Sequence, residues 1–189
     1  MFSTLIEQVK ADYSWYGSLS NPVKFLGRVI YHPYLRLLLI FRLLTNVRGL
    51  GGVLLIPLRL YYVWLQRRCM IELPLSVKLG KGATFVHYGP RTINGAAIIG
   101  DYCEIFPCVL IGGQRGKGTP KIGNHTFLGY GSKIIGDVRL GDNVFICPNT
   151  VVVKDVQDNS VISGIPAKVI SMDGKKNVML YDQTQTKMR

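Results

Sequence analysis

A chain of 189 residues in which 48% are hydrophobic and 18% are charged is not a disordered protein, and its length suits one domain plus an extension. The formal charge of +12 restricts the partners worth considering to a nucleic acid, an anionic membrane surface or a phosphate-bearing ligand. Four cysteines without a CxxC pair, and an opening (MFSTLIEQVKADYSW) without signal-peptide character, point to a reduced, cytoplasmic protein whose thiols are not cross-linked.

Residues 1–70 are predicted as an N-terminal helical region. HPYLRLLLIFRLL (His32 to Leu44) and VLLIPLRLYYVWLQRR (Val53 to Arg68) are leucine-rich, and Gly49, Leu50, Gly51 and Gly52 break the chain between them. Pro33 suits a helix start, and Pro57 either falls near the first turn of the second helix or kinks it. Arg36, Arg42, Arg48 and Arg59 interrupt the apolar runs, so neither stretch is a membrane span. Such helices either pack on the rest of the protein or lie in the plane of an anionic bilayer. His32 reads as a capping or packing residue at the helix start.

Residues 71–170 repeat with a period of six. Aliphatic or aromatic anchors fall at Leu79, Phe85, Ile93, Ile99, Ile105 and Ile111, then at Ile122, Leu128, Ile134, Leu140, Ile146 and Val152. Four residues after most anchors comes a small or β-branched residue, among them Ala83, Ala97, Cys103, Thr126, Ser132 and Thr150. A helix of 3.6 residues per turn or a hairpin of period 2 does not generate this spacing. A solenoid does: short strands and tight turns fill each hexad, and each coil buries its anchors against the next.

The rhythm breaks twice. In FVHYGPRTI (Phe85 to Ile93) the interval between anchors lengthens to eight and encloses His87. In GGQRGKGTPK (Gly112 to Lys121) a longer insertion carries Arg115 and Lys117, whose charges suit phosphates or an anionic acceptor. His125 sits outward on a regular hexad, and Cys103 takes an inward slot. No metal-like clustering of cysteine with histidine occurs, and no metal requirement is expected. The basic residues are spread over helices, loop and tail with no nucleic-acid motif beside them, which sets nucleic acid aside.

The hexads, VHYGPRTIN, GGQRGKGTPKIG and the closing SGIPAKVI resemble the hexapeptide-repeat acyltransferases. Within them the chain looks most like serine acetyltransferase-like O-acetyltransferases of polysaccharide and capsule pathways. The resemblance implies a mostly β fold, a left-handed parallel β-helix preceded by α-helices, and a homotrimer that binds acetyl-CoA between subunits. It implies that His87 is the general base that activates an acceptor hydroxyl. The family places a carboxylate fifteen residues earlier, here Glu72, which would orient the His87 ring. Lys133, Lys154 and Lys168 are the expected partners of the coenzyme A phosphates. Gly112 and Gly129 are expected near the cofactor, with backbone N–H groups for the oxyanion. Tyr88, Asn94, Arg115 and Lys117 are expected to face the acceptor.

The resemblance also has gaps. Serine acetyltransferases carry an acidic residue just before the bulge histidine, where this chain has Val86. They carry an arginine-histidine pair ahead of PKI, where this chain has Gly118 and Thr119. A site that loses its charged partners weakens its grip on a zwitterion. The expectation is therefore an acetyl-CoA-dependent transferase acting on a hydroxyl of a sugar or polysaccharide precursor, held in the cytoplasm or at the inner face of the membrane. Serine O-acetylation, N-acetylation of an amino sugar and a non-catalytic β-helix scaffold stay open. Residues 171–189 read as a polar C-terminal tail that is disordered or crosses to a neighbouring subunit.

Overall fold

The computed structural model describes residues 5–16, 21–47, 52–114 and 118–179. Arg48, Arg115, Lys117 and the last ten residues, 180–189, lie outside them. Four helices come first: α1 (Leu5–Ser14), α2 (Pro22–Tyr31), α3 (Pro33–Asn46) and α4 (Ile56–Cys69). Asn21 caps α2 by accepting from the Val23 and Lys24 amides. The predicted helix starts at Pro33 and Pro57 hold, since each proline lies in the first turn, where its missing N–H costs nothing. Met70 ends α4 in the left-handed conformation and turns the chain into the first strand.

The strands then wind upward. The first coil is β1 (Ile71–Glu72), β2 (Lys78–Leu79) and β3 (Thr84–Phe85). The second is β4 (Arg91–Ile93), β5 (Ile98–Ile99) and β6 (Glu104–Ile105). The third is β7 (Leu110–Gly112), β8 (Lys121–Ile122) and β9 (Phe127–Leu128), and the fourth is β10 (Lys133–Ile135), β11 (Arg139–Leu140) and β12 (Phe145–Ile146). β13 (Val151–Val152) and β14 (Val161–Ser163) open a fifth, and β15 (Lys168–Ser171) folds back antiparallel on β14.

From β1 to β10 each strand pairs in parallel with the strand three places on, and β12 pairs with β14, which gives three flat sheets around a triangular core: the left-handed parallel β-helix. Register explains the broken rhythm. Thr92 pairs with Leu110 and Lys133 with Val151, eighteen residues apart, which is three hexads. Phe85 pairs with Ile105, twenty residues apart, and Leu110 with Lys133, twenty-three apart. The two interruptions are thus outward excursions at two corners of a coil that otherwise keeps its step. The anchors from Leu79 to Val152 are all buried, and the small residues that follow them are buried beside the corners.

The helices close the first coil. α3 is the central helix: Leu37, Leu38, Phe41 and Leu44 are buried in the same core as the coil anchors. Arg42, read in the sequence as a break in an apolar run, is fully buried and pairs with Asp12 of α1 at 2.8 and 3.1 Å. It also donates to the carbonyl of Leu79 at 2.6 Å, while Asp12 accepts from the Ala83 amide at 3.2 Å. Burial pushes the Asp12 carboxyl above its ordinary range, and the Arg42 charge offsets part of that. This knot ties α1, α3 and the first coil together. Asp12→Asn leaves the guanidinium buried without its charge partner and is expected to lower unfolding free energy by about 3–5 kcal/mol in chemical denaturation. A loss below about 1 kcal/mol would mean that the pair is worth no more than a solvated surface pair.

The expected polar tail is ordered where it is described. β15 extends to Ser171, residues 174–179 are helical, and Val178 packs against the core. The Gly174 amide donates to the Asn159 carbonyl at 2.8 Å, which holds this segment against the last coil.

Candidate active site

The corner where the third sheet returns to the first carries the histidine excursion. Regular corners of this coil place one residue in the left-handed region: Tyr102, Cys108, His125, Asn143, Asn149 and Asn159 all have φ between 51° and 61°. His87 adopts the same conformation, with φ 56°, so its backbone follows the corner rule. The two extra residues push it out of the stack, and both His87 and Tyr88 are exposed.

An outward bulge strands backbone carbonyls that would otherwise join the ladder, and buried carbonyls need donors. Arg91, at the start of β4, supplies them. Its side chain is 2% exposed, and it donates to the carbonyls of Ile105, Gly89 and His87 at 2.9 Å each and to that of Val86. The rings of Tyr34 and Phe85 lie 5.2 and 5.6 Å from the guanidinium carbon. No carboxylate among the described residues pairs with Arg91. Burial pushes its guanidinium below the ordinary value, against the pull of Tyr34. Tyr34 of α3 closes the other side by accepting from the Gly89 amide at 3.1 Å. Sequence reasoning gave Arg91 no role. Its signal was the period-2 alternation that sets it on the same inward face as Ile93.

The His87 ring lies 5.8 Å from Phe106 and 6.0 Å from Tyr130, residues of the same corner one and two coils on. It opens into a cleft of about 380 Å³ between this corner and the helices, lined by Trp15, Tyr16, Arg28, His32, Tyr34 and Tyr88, among others. His32 is therefore more than a cap. Its side chain makes no capping hydrogen bond to α3, and its ring sits 5.2 Å from both Tyr16 and Tyr31. His125 is exposed as expected and stacks on Tyr102 at 5.1 Å, at a different corner. Burial pushes the Cys69 and Cys103 thiols up to about 11 and about 12, so both stay protonated and neither is a nucleophile.

The remaining expected site residues divide between two corners. The histidine corner stacks into a continuous ridge, held by Cys108 N–H to Pro90 O at 2.6 Å, Gly131 to Pro107 at 2.9 Å and Asn149 to Tyr130 at 2.7 Å. Gly129 lies on that ridge, Lys133 borders it with its ammonium 3.1 Å from the Gly131 carbonyl, and Lys168 is exposed on β15 at its far end. Asn94, Gly112 and Lys154 lie instead around the corner between the first and second sheets, which also carries the 113–120 loop. Asn94 accepts from the Ala96 amide at 2.9 Å and serves its own turn.

One expectation changes at this level. The Gly129 N–H donates to the Ile146 carbonyl at 3.0 Å and is not available to an oxyanion. A Cβ at that position would come within 2.4 Å of the same carbonyl oxygen, so coil stacking alone demands the glycine. Glu72 is exposed on β1, in register with Thr92, and no hydrogen bond or ion pair among the described residues joins it to His87. Among the described residues no three histidine, cysteine or acidic side chains gather as metal ligands would.

Known proteins share this architecture. Residues 119–154 match the bacterial transferase hexapeptide (six repeats) family. Serine acetyltransferase of Synechococcus elongatus is 37% identical over 108 residues, covering 55% of this chain and 44% of that protein. The Staphylococcus aureus serine acetyltransferase is 33% identical over 116 residues, covering 59% and 54%. The chain thus spans about half the length of the curated relatives it matches. In three dimensions it superposes on Neisseria gonorrhoeae serine acetyltransferase with a TM-score of 0.72 at 22% identity, covering 88% of this chain and 66% of that one. Soybean serine acetyltransferase gives 0.73 at 22% identity, covering 88% and 69%. These likenesses show the fold, helices included. Wound from hexads, the chain shares its fold with serine acetyltransferases and resembles the hexapeptide-repeat transferases over residues 119–154.

Proposed function

We propose that this protein is an acetyl-CoA-dependent O-acetyltransferase that acts on a hydroxyl of a sugar or polysaccharide precursor in the cytoplasm, with His87 as its general base. The observation that carries the reading is the exposed histidine on a corner built to eject it, beside an aromatic cleft, in a chain whose relatives are serine acetyltransferases. As the acceptor oxygen attacks the thioester carbonyl, the His87 imidazole takes the hydroxyl proton. The tetrahedral intermediate then collapses, the C–S bond breaks, and coenzyme A leaves as a thiolate that recovers the proton from the imidazolium. Glu72, on the strand that pairs with β4, is given the role of orienting the ring once substrates close the cleft. Lys133 and Lys168 lie along the ridge above His87, where the phosphates of the cosubstrate would run.

A homotrimer belongs to the proposal. His87 and the chain ends that bracket the second excursion, Gly112 and Lys121, sit on different corners of one prism. A neighbouring copy placed side by side brings its Lys154 toward this corner, and Arg115 and Lys117 are proposed to meet the ligand from that copy.

Two features favour a saccharide. Val86 and Thr119 stand where a zwitterion would want charged partners, and the cleft offers aromatic faces on which the C–H face of a sugar ring packs. The names of the relatives favour serine instead. Thiol release from acetyl-CoA, measured with a saccharide panel and with L-serine, separates the two. Saccharide-dependent turnover is expected. Turnover with serine alone would replace the saccharide reading, and acceptor-independent silence together with no coenzyme A binding would leave a scaffold.

A further inference from the structure

The helices that roof the His87 cleft carry an apolar face that none of the described residues covers. On α2, Phe25 and Val29 point inward, where Phe25 packs on Tyr13 at 4.8 Å. The opposite side shows Val23 at 78%, Leu26 at 59% and Ile30 at 63% exposure. These three recur at helical spacing, and such a face on a surface helix is a docking surface or a liability. It is continuous with the cleft. Tyr31, 79% exposed, packs edge-on against His32, which lines the cleft with Arg28 of the same helix.

Charge identifies what covers this face. Residues 1–70 hold nine lysines and arginines against two acids, Glu7 and Asp12. Asp12 is already spent in the buried pair with Arg42. Neither α2 nor α4 contains an acidic residue, while Lys24 and Arg28 flank the apolar stripe of α2. Among the described residues the Arg28 guanidinium meets the Tyr13 side chain, at 3.4 Å from the hydroxyl, and no carboxylate pairs with it. A second copy of this chain would bring the same excess of positive charge to the contact and repel it. An anionic bilayer meets both needs, burying the apolar stripe in its interfacial zone and pairing the cations with its headgroups. No helix among the described residues is long and apolar enough to cross a membrane, so the contact is peripheral.

We propose that α2 docks this protein on an anionic membrane surface through Val23, Leu26, Ile30 and Tyr31, which places the mouth of the His87 cleft at the lipid interface. The acceptor then arrives from the membrane side: a hydroxyl-bearing headgroup or a lipid-linked saccharide, whose phosphate Arg28 meets at the rim. Delivery of a membrane-borne acceptor rests on the transferase reading; docking itself does not.

The full chain is mixed with vesicles of phosphatidylcholine alone and of phosphatidylcholine with phosphatidylglycerol, and bound protein is measured by flotation. Binding is expected only to the anionic vesicles and to fall as salt rises. Leu26→Glu with Ile30→Glu is expected to weaken it on the order of 100-fold, because two buried apolar side chains are lost. Both positions face solvent, so thermal unfolding and turnover of a soluble acceptor stay as in the wild type. Absence of flotation overturns the proposal whatever the turnover. So does wild-type binding by the α2 double variant together with loss in Leu60→Glu with Trp64→Glu, which would assign the docking to α4. Self-association in sedimentation that the α2 variant abolishes, without vesicle binding, would assign the face to a second copy.

Discussion

Replacing His87 with alanine is expected to lower turnover by about 10²–10⁴-fold, the usual share of a positioned general base. The side chain is exposed and, among the described residues, makes ring contacts with Phe106 and Tyr130, so the loss falls on chemistry more than on folding. Backbone conformation complicates alanine here, since φ is 56° and a Cβ-bearing residue with no local hydrogen bond resists that region. His87→Asn removes the complication. Asparagine already occupies the equivalent corner conformation at Asn143, Asn149 and Asn159, so it keeps the turn and removes only the base. Thiol release with a saturating acceptor measures the effect, and coenzyme A affinity is expected to stay within about threefold for lack of any lost phosphate contact. A His87→Asn protein with wild-type turnover would remove His87 from the chemistry and with it the mechanism proposed here.

The second large effect is expected at a residue that touches no substrate. Arg91→Met keeps the length and apolar stem but withdraws the donors to the carbonyls of Val86, His87, Gly89 and Ile105. Each stranded buried acceptor costs about 1–3 kcal/mol, offset by release from burying an unpaired guanidinium, for an expected net loss of roughly 3–5 kcal/mol. In the fraction that still folds, the turn carrying His87 loses its anchor. Misplacement of a catalytic group by about 1 Å costs on the order of 100-fold, so kcat should fall by that much while KM for acetyl-CoA barely moves. Arg91→Lys separates charge from geometry. One ammonium cannot reach four carbonyls in fork geometry, so the lysine variant should recover stability in part and kcat very little. Equal recovery of both would mean that the charge, not the fork, holds the turn. A folded Arg91→Met enzyme with unchanged kcat would show that Tyr34 and the flanking ladder hold the turn by themselves.

How far the sequence carried depended on whether a feature is periodic. The coil is a one-dimensional stack in which each hexad repeats the same local environment, so the anchors from Leu79 to Val152 announce their own burial. A break in that rhythm is equally visible. The sequence therefore located both excursions, and singled out the histidine at the first, before any coordinates. Arg91 was visible only as an odd charge at an inward position. Its partners are carbonyls, which leave no mark in an amino-acid sequence, and one of them, Ile105, lies fourteen residues further on, at the end of the same coil.

The helical region shows the opposite balance. Composition marked it as helical and basic, yet the arginines interrupting its leucine runs looked alike. Tertiary packing sorted them: Arg42 turned inward to meet Asp12, thirty residues earlier in the chain, while Arg59 stayed exposed. Asp12 and His32 acquired their neighbours in the same way, through contacts between helices whose relative placement no local periodicity encodes. What the sequence by itself determined is the coil, its step and the positions where it swells, because nearest-neighbour stacking is written residue by residue. What only the tertiary structure decided is the roof over His87 and the buried fork that holds its turn. Both arise where separate segments meet, and the energy of such meetings depends on distance and desolvation rather than on the order of residues along the chain.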